Sequence, residues 1–395
     1  MLSKITEDYY KNISLVHRKN NGQYMTPYDI IEESLKTLPK SHYKSILEPS
    51  CGTGQFIEKI QEKYKKAKIT GIEIDTVIYN IINNNFNNNI DIINNDFLLY
   101  DFKDKKYNLI IGNPPYFELE QKNSKYKEII NNYKEYLCGR VNIYSLFLLK
   151  SIEILDDVLL FVIPTSLLSS KYFEGVRKYI IKKCNIINIK ILNSDNFEDA
   201  QQQTMIFIIQ KLKDNNINNG KYIIKLGETI IFNENYETCN NYLKNKIFIK
   251  DLNCVVKTGS VVWNQHKDSL TNDDKNNVIL IYPRNLNSEE NTIELSSHDK
   301  KKQYINSSKY KKSTINGPLI AINRIIGIKD ITLKPVLIKT GNYYFENHIN
   351  IITGDLDNLT RIYNSLKKSE TINFIKNIIG NTQLSKTELE TMIPI

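Results

Sequence analysis

Leu47-Glu-Pro-Ser-Cys-Gly-Thr-Gly-Gln-Phe56 closes one short apolar run and opens a helical pattern. Gly52 and Gly54 let the backbone turn tightly and bring its N–H groups close to a ligand. The G-x-G-x-x-G spacing and a Walker lysine are both absent, so the turn suits a nucleoside better than a dinucleotide or a triphosphate. Outward from this stretch the alternation repeats. Strands are predicted at 45–48, 69–73, 90–93, 109–111, 158–163, 186–192 and 204–210, and helices at 55–66, 76–85, 142–155 and 170–183. Such alternation predicts a sheet of βαβ units over the first 210 residues, an α/β fold. The last two runs have no helix between them and are expected to pair antiparallel at one sheet edge.

Four strand ends carry chemistry. The glycine turn is the first. The second is Gly71-Ile-Glu-Ile-Asp75, where Glu73 lies 19 residues beyond Gly54, a distance that suits an acid accepting both ribose hydroxyls. The third strand runs into Asn95-Asp96-Phe97; Asp96 is placed to accept from an adenine amino group while Phe97 or Ile74 packs on the ring. The fourth ends in Asn113-Pro-Pro-Tyr116. Pro114 and Pro115 lack N–H groups and stop the ladder, leaving an amide, free carbonyls and an aromatic ring. Carbonyl acceptors beside a π-face suit a planar group bearing an NH2. In a parallel sheet these four ends line one crevice.

Bulk properties narrow the class. With 41% hydrophobic and 25% charged residues the chain reads as an ordinary globular protein, and its 395 residues allow two cores. No 18-residue apolar run or signal-peptide core is present, so a cytoplasmic location without membrane contact is expected. Five cysteines without a C-x-x-C pair predict neither a disulfide frame nor a zinc site, and the histidines lack ligand spacing, so no metal is expected. Residues 1–200 carry 27 Lys+Arg against 25 Asp+Glu, and residues 201–395 carry 26 against 19. A neutral front and a basic rear suit a rear half that grips a polyanion. The boundary is expected across 216–244, a linker between a domain at 1–215 and one at 245–395.

In order and spacing, Gly22-Gln-Tyr-Met-Thr-Pro27, Glu48-Pro-Ser-Cys-Gly-Thr-Gly54, Gly71-Ile-Glu-Ile-Asp75, Asn95-Asp-Phe-Leu-Leu99 and Asn113-Pro-Pro-Tyr116 resemble the motifs of gamma-class adenine-N6 DNA methyltransferases, the Taq-like group. The resemblance covers roughly residues 18–210. It implies a Rossmann-like methyltransferase domain with a mostly parallel seven-stranded sheet and S-adenosylmethionine as cofactor. Tyr24 and Thr26 should then face the methionine part, with Glu48, Ser50 and Gly52 as wall. Glu73 should hold the ribose, and Asp96 with Phe97 the adenine. Phe197 resembles a second base-stacking aromatic. Asn113 Oδ1 and the Pro114 carbonyl would each accept one N–H of a flipped adenine, so that the amine aims its lone pair at the sulfonium methyl, with Tyr116 and Phe197 sandwiching the base.

The rear half resembles target-recognition domains of the HindII-like enzymes in 257–267, 280–285 and 380–389. It implies an α+β domain binding double-stranded DNA, with Asn264, Gln265, His266, Lys267, Arg284 and Lys311 as nucleic-acid contacts. Trp263 is expected as a core anchor. Lys301, Lys302, Lys309, Lys311 and Lys312 with Tyr304 and Tyr310 are expected to form a phosphate-binding loop. Glutamine methyltransferases of release factors share Asn-Pro-Pro-Tyr and RNA-base methyltransferases carry a close variant, so these stand as alternatives, as does a non-catalytic DNA-binding subunit. The expectation is a monomeric site-specific adenine-N6 DNA methyltransferase, paired with a restriction endonuclease or solitary.

Overall fold

The computed structural model describes residues 2–395 except 15–17, 19–21, 40–41, 84, 87–88, 120–124, 193–202, 214–215, 296–300, 328–330 and 379–382. The chain divides into two compact units, Met1–Lys225 with Thr229–Tyr236 and Leu226–Glu228 with Glu237–Ile395.

The first unit holds β1 (Ser45–Glu48), β2 (Lys68–Glu73), β3 (Ile90–Asn94), β4 (Tyr107–Gly112), β5 (Leu155–Pro164), β6 (Cys184–Ile191) and β7 (Thr204–Lys211) in one sheet, ordered β3-β2-β1-β4-β5-β7-β6. β1 to β5 pair in parallel, and β7 runs antiparallel to both β5 and β6. This is the Rossmann-like α/β sheet. The two helix-free runs do pair antiparallel, with β7 inserted beside β5 and β6 left at the edge. The helices are α1 (Lys4–Asn12), α2 (Tyr28–Lys36), α3 (Gln55–Lys63), α4 (Thr76–Ile82), α5 (Lys127–Asn132), α6 (Ile143–Ile154), α7 (Ser166–Ser169) and α8 (Glu174–Lys183).

Both sheet faces are covered, so the strands read as near-continuous apolar runs. The period of two decides which face each residue serves. Leu47, Ile110, Leu159, Phe161 and Phe207 pack with Leu146, Leu149 and Ile152 of α6. Their neighbours Ile46, Leu109, Ile111, Val158, Leu160 and Ile206 pack with Ile30 and Ile31 of α2 and Phe56 and Ile60 of α3.

Two expectations change. The helix predicted at 170–183 begins only at Glu174, after α7 and a tight turn, because Ser170 is extended (φ −60°, ψ 135°). Arg177, fully buried, holds that break together: Nη1 donates to the carbonyls of Leu167 and Ser170 at 2.9 Å each, and Nε to that of Ile230 at 2.5 Å. The stretch expected as a linker is also structured. Its Asn-rich start reads as loop, yet strands Ile223–Leu226 and Thr229–Phe232 form a hairpin and Tyr236–Leu243 a helix. Phe232 is buried and stacks on Phe207 at 6.1 Å, so apolar burial draws part of the stretch into the sheet domain.

The second unit is α+β. It contains a four-stranded and a five-stranded sheet with helices Leu356–Leu366, Ser369–Ile378 and Lys386–Thr391. Strand Val255–Thr258 is followed by Gly259, which passes so close to the backbone of Glu346 that a Cβ there would meet Glu346 O at 2.1 Å. Trp263 is half-buried, packed at the margin of a cluster with Val261, Leu270, Tyr282 and Tyr310.

Phe161→Ala in central β5, a fully buried ring, should lower unfolding free energy by about 3–5 kcal/mol in urea titration; a loss under about 1 kcal/mol would contradict this account of the core.

Candidate active site

The order β3-β2-β1-β4 sets the carboxyl ends of four strands side by side. They line a cavity of about 380 Å³ together with residues of the 22–25 segment, within the size range of small-molecule sites (about 300–1,000 Å³). Of the expected cofactor residues, Tyr24, Ser50, Gly52, Glu73, Ile74, Asp96 and Phe97 line it, and Asn113 and Pro115 join them from β4.

Glu73 organises one side. Its Oε2 accepts from the Gly52 N–H at 2.8 Å and its Oε1 from the Asp75 N–H at 2.7 Å. Burial pushes its carboxyl up to about 7 against the pull of those two N–H groups. Gly52 takes φ +52°, and a Cβ there would meet Met25 Sδ at 2.8 Å, so glycine spares strain and crowding in the turn that brings this N–H to the carboxylate. Asp75 caps α4 through Val77 N–H and accepts from Gln23 Nε2 at 3.0 Å. Ile74 projects outward, 55% exposed, from the same turn.

Asn113 organises the other side. Its Nδ2 donates to Tyr24 O and to Thr26 Oγ1, each at 2.9 Å. Its Oδ1 accepts from the Tyr116 hydroxyl, which also lies 2.6 Å from Val162 O. The Tyr24 and Tyr116 rings are stacked with centroids 6.3 Å apart. Ser50 Oγ donates to the Asn113 carbonyl at 3.3 Å.

Five expected site residues stand behind the cavity instead of on it. Thr26 is 4% exposed and serves Asn113. Glu48 is buried, with its carboxyl held well above the ordinary range by burial and then by Glu73, and Oε2 has no hydrogen-bond partner. Gly54, at φ +83°, starts α3 with its Cα against Phe86. Pro114 is buried. Tyr116 is anchored through its hydroxyl, with its ring between Tyr24 and Tyr144, so it braces Asn113 and is not an open stacking surface. Phe197 lies outside the described residues.

Asp96 was expected to be open to an adenine amino group, yet it is already engaged. Oδ1 accepts from Leu98 N–H at 2.9 Å, and Oδ2 from Tyr126 OH at 2.9 Å and Lys125 Nζ at 2.7 Å. Lys125, Tyr126, Ile143 and Phe147 line the cavity and were missed. Phe147 sits on α6, apolar all round, where no periodicity marks one face; its ring lies 4.8 Å from that of Phe97. Lys125 and Tyr126 follow a polar stretch of sequence that carries no motif.

In the second unit Asn264, Gln265, Lys267, Arg284 and Lys311 are exposed. His266 is half-buried, edge-on to Tyr310 at 5.0 Å. Tyr310 is 4% exposed and donates to Ser260 O at 3.0 Å, so it belongs to the core and not to a phosphate loop. Lys312 and Lys302 donate to the carbonyls of Ser260 and Leu270. Lys301 Nζ lies 5.1 Å from the Trp263 ring centre and 5.3 Å from that of Tyr282, with Arg284 at 5.0 Å on Tyr282.

Residues 10–197 match the model of the Eco57I restriction-modification methylase family. The chain is 27% identical over 382 residues to the type II methyltransferase M.CvrRI of Paramecium bursaria Chlorella virus XZ-6E, covering 96% of this chain and 95% of that protein. It is 35% identical over 243 residues to the type II methyltransferase M.AccI of Acinetobacter calcoaceticus, and 34% over 229 to the modification methylase CviBIII of Paramecium bursaria Chlorella virus NC1A. These alignments cover 58% and 56% of this chain, and it spans about half of those two relatives (45% and 56%). Among solved structures it is similar to a type I restriction-modification methyltransferase subunit from Streptococcus thermophilus (TM-score 0.40, 17% identity, 56% of this chain and 53% of that one). The M protein of type I restriction enzyme EcoKI gives a TM-score of 0.39 at 18% identity, covering 50% and 46%. Residues 10–197 therefore match an Eco57I-type restriction-modification methylase domain, and along nearly its whole length the chain is similar to a type II methyltransferase.

Proposed function

We propose that this protein methylates the N6 amino group of an adenine at a specific site in double-stranded DNA. The observation that carries the reading is that Asn113 and Glu73 line one cavity, from the ends of β4 and β2.

The residues present fit S-adenosylmethionine as cofactor. Glu73 lines the cavity at the glycine turn and, once ionised, complements a cationic ligand that carries hydroxyl donors, with the Glu48 carboxyl buried behind it. Glu73 would hold the ribose, Phe97 and Ile74 the adenine, and Tyr24, Ser50 and Gly52 the methionine end. Bound there, the cofactor supplies an electrophilic methyl group on a sulfonium.

The protein's own work is orientation. An adenine amine is a weak nucleophile because its lone pair is delocalised into the ring. Asn113 Oδ1 would accept one N–H, and the other would go to the carbonyl of Pro114, a residue buried at the cavity's back; the pair would let the nitrogen pyramidalise and stabilise the positive charge it develops. The base must leave the duplex to reach them, at a cost of a few kcal/mol. The second unit would supply the grip on DNA: Arg284 and Lys311 to phosphates, Asn264, Gln265, His266 and Lys267 to base edges or phosphates. The enzyme would act as a monomer, paired with a restriction endonuclease or alone.

Asn113→Ala should lower methyl transfer at least on the order of a hundredfold while DNA binding persists; measured transfer near the wild-type rate would refute the assignment. Glu73 ionises only above about 7, and only the ionised carboxylate accepts from both ribose hydroxyls. Cofactor affinity should therefore weaken as pH falls through 7, approaching a tenfold change per unit, and Glu73→Gln should flatten the profile in calorimetry between pH 6 and 8. A wild-type affinity independent of pH would remove the ribose role. If three or more cations neutralise phosphates, the logarithm of DNA affinity should fall with that of salt with a slope of about −3 or steeper; a flat response counts against a phosphate grip.

A further inference from the structure

The turn after β4 contains a donor–acceptor pattern that reads only one way. Asn113 Nδ2 stands 2.9 Å from the main-chain oxygen of Tyr24. A peptide carbonyl only accepts, so the amide edge facing Tyr24 must be the NH2. Thr26 Oγ1, also at 2.9 Å, takes the second N–H of that same group. The amide oxygen is thereby turned to the opposite side, where the Tyr116 hydroxyl donates to it. Thr26 is well anchored for this task. Its carbonyl accepts from Gln55 Nε2 at 2.7 Å, while Gln55 Oε1 accepts from the Thr6 hydroxyl and, at 3.4 Å, from the Ser3 N–H. Thr26 is 4% exposed, so water does not readily replace its hydroxyl.

We infer that Thr26 is a positioning residue for methyl transfer, holding Asn113 in the amide orientation that presents Oδ1, and not Nδ2, to the substrate amine. The inference rests on the reading above, in which Asn113 Oδ1 accepts from that amine. Rotated half a turn, the amide would set N–H donors against an amine that also donates, and the contact would repel. The same geometry explains why position 113 carries an amide. A carboxylate there would place an oxygen against the Tyr24 carbonyl, with no proton between them. Thr26 thus acts through Asn113 and not on the methionine end of the cofactor, the place the sequence pattern suggested for it.

The test compares full-length Thr26→Val, Thr26→Ser and Asn113→Ala with wild type. Labelled methyl transfer from saturating S-adenosylmethionine to unmethylated bacterial genomic DNA is measured, together with cofactor affinity by calorimetry. Thr26→Val keeps the shape and removes the acceptor, so turnover should drop on the order of tenfold, with cofactor affinity within about threefold of wild type. Thr26→Ser, which retains the hydroxyl, should recover turnover to within about threefold. Unchanged turnover in Thr26→Val beside an inactive Asn113→Ala overturns the inference alone. So does a Thr26→Val defect that appears as weakened cofactor affinity and vanishes at saturation, since Thr26 would then serve the cofactor directly. An active Asn113→Ala overturns the underlying reading first. Should Thr26→Val fail to fold, Thr26→Ala is judged by the same criteria.

Discussion

The Glu73 carboxylate joins the parts of the site. Buried at the end of β2, it accepts one N–H from the glycine turn after β1 and another from Asp75 at the start of α4. Burial alone would drive a carboxylate to protonate, and these two N–H groups offset part of that cost. The neighbouring bonds depend on it in turn. Asp75 is held where it can cap α4 and receive Gln23, and Gln23 accepts from Tyr9 of α1. One side chain therefore sets the spacing between the glycine turn, the second strand end and the segment that runs over them. Any group that reaches the cavity meets a wall whose donors are already committed inward.

The site has two layers with different work. Residues open to the cavity, among them Ser50, Glu73, Phe97 and Asn113, are those a ligand can touch. Behind them stand Thr26, Glu48, Gln55 and Tyr116, whose polar atoms face other protein groups or none. The second layer is where orientation is decided. An amide has two ends of similar shape, and only the surrounding donors and acceptors distinguish them. Precision at the open layer thus originates one shell further in.

The sheet was legible because burial on two faces leaves a coarse signature in the chain. All seven apolar runs became strands, and the helix-free pair at 186–192 and 204–210 announced the antiparallel edge. The strand-end acids and the Asn-Pro-Pro-Tyr turn were legible for a related reason, since prolines and glycines mark where a ladder must stop. What escaped was whatever depended on partners distant in sequence. Thr26 and Glu48 lie inside recognisable motifs, yet which way each side chain points is set by Asn113 and by the packing under the glycine turn. Lys125 and Tyr126 carry no local pattern, and their place beside Asp96 exists only once the chain has folded back. The hairpin at 223–232 was hidden because its strands are four residues each and follow a run of asparagines.

The Lys125–Asp96 pair lies in the cavity wall beyond the end of β3 and is loosely held. Lys125 is 48% exposed, so the pair's net strength is that of a surface ion pair, about 1 kcal/mol or less. At that strength the ammonium is off its partner in roughly one molecule in six or more at any moment. Such a contact opens and closes on the timescale of side-chain rotation. The charge on that side of the cavity can therefore be rearranged by one side chain, with the backbone of the strand ends left in place.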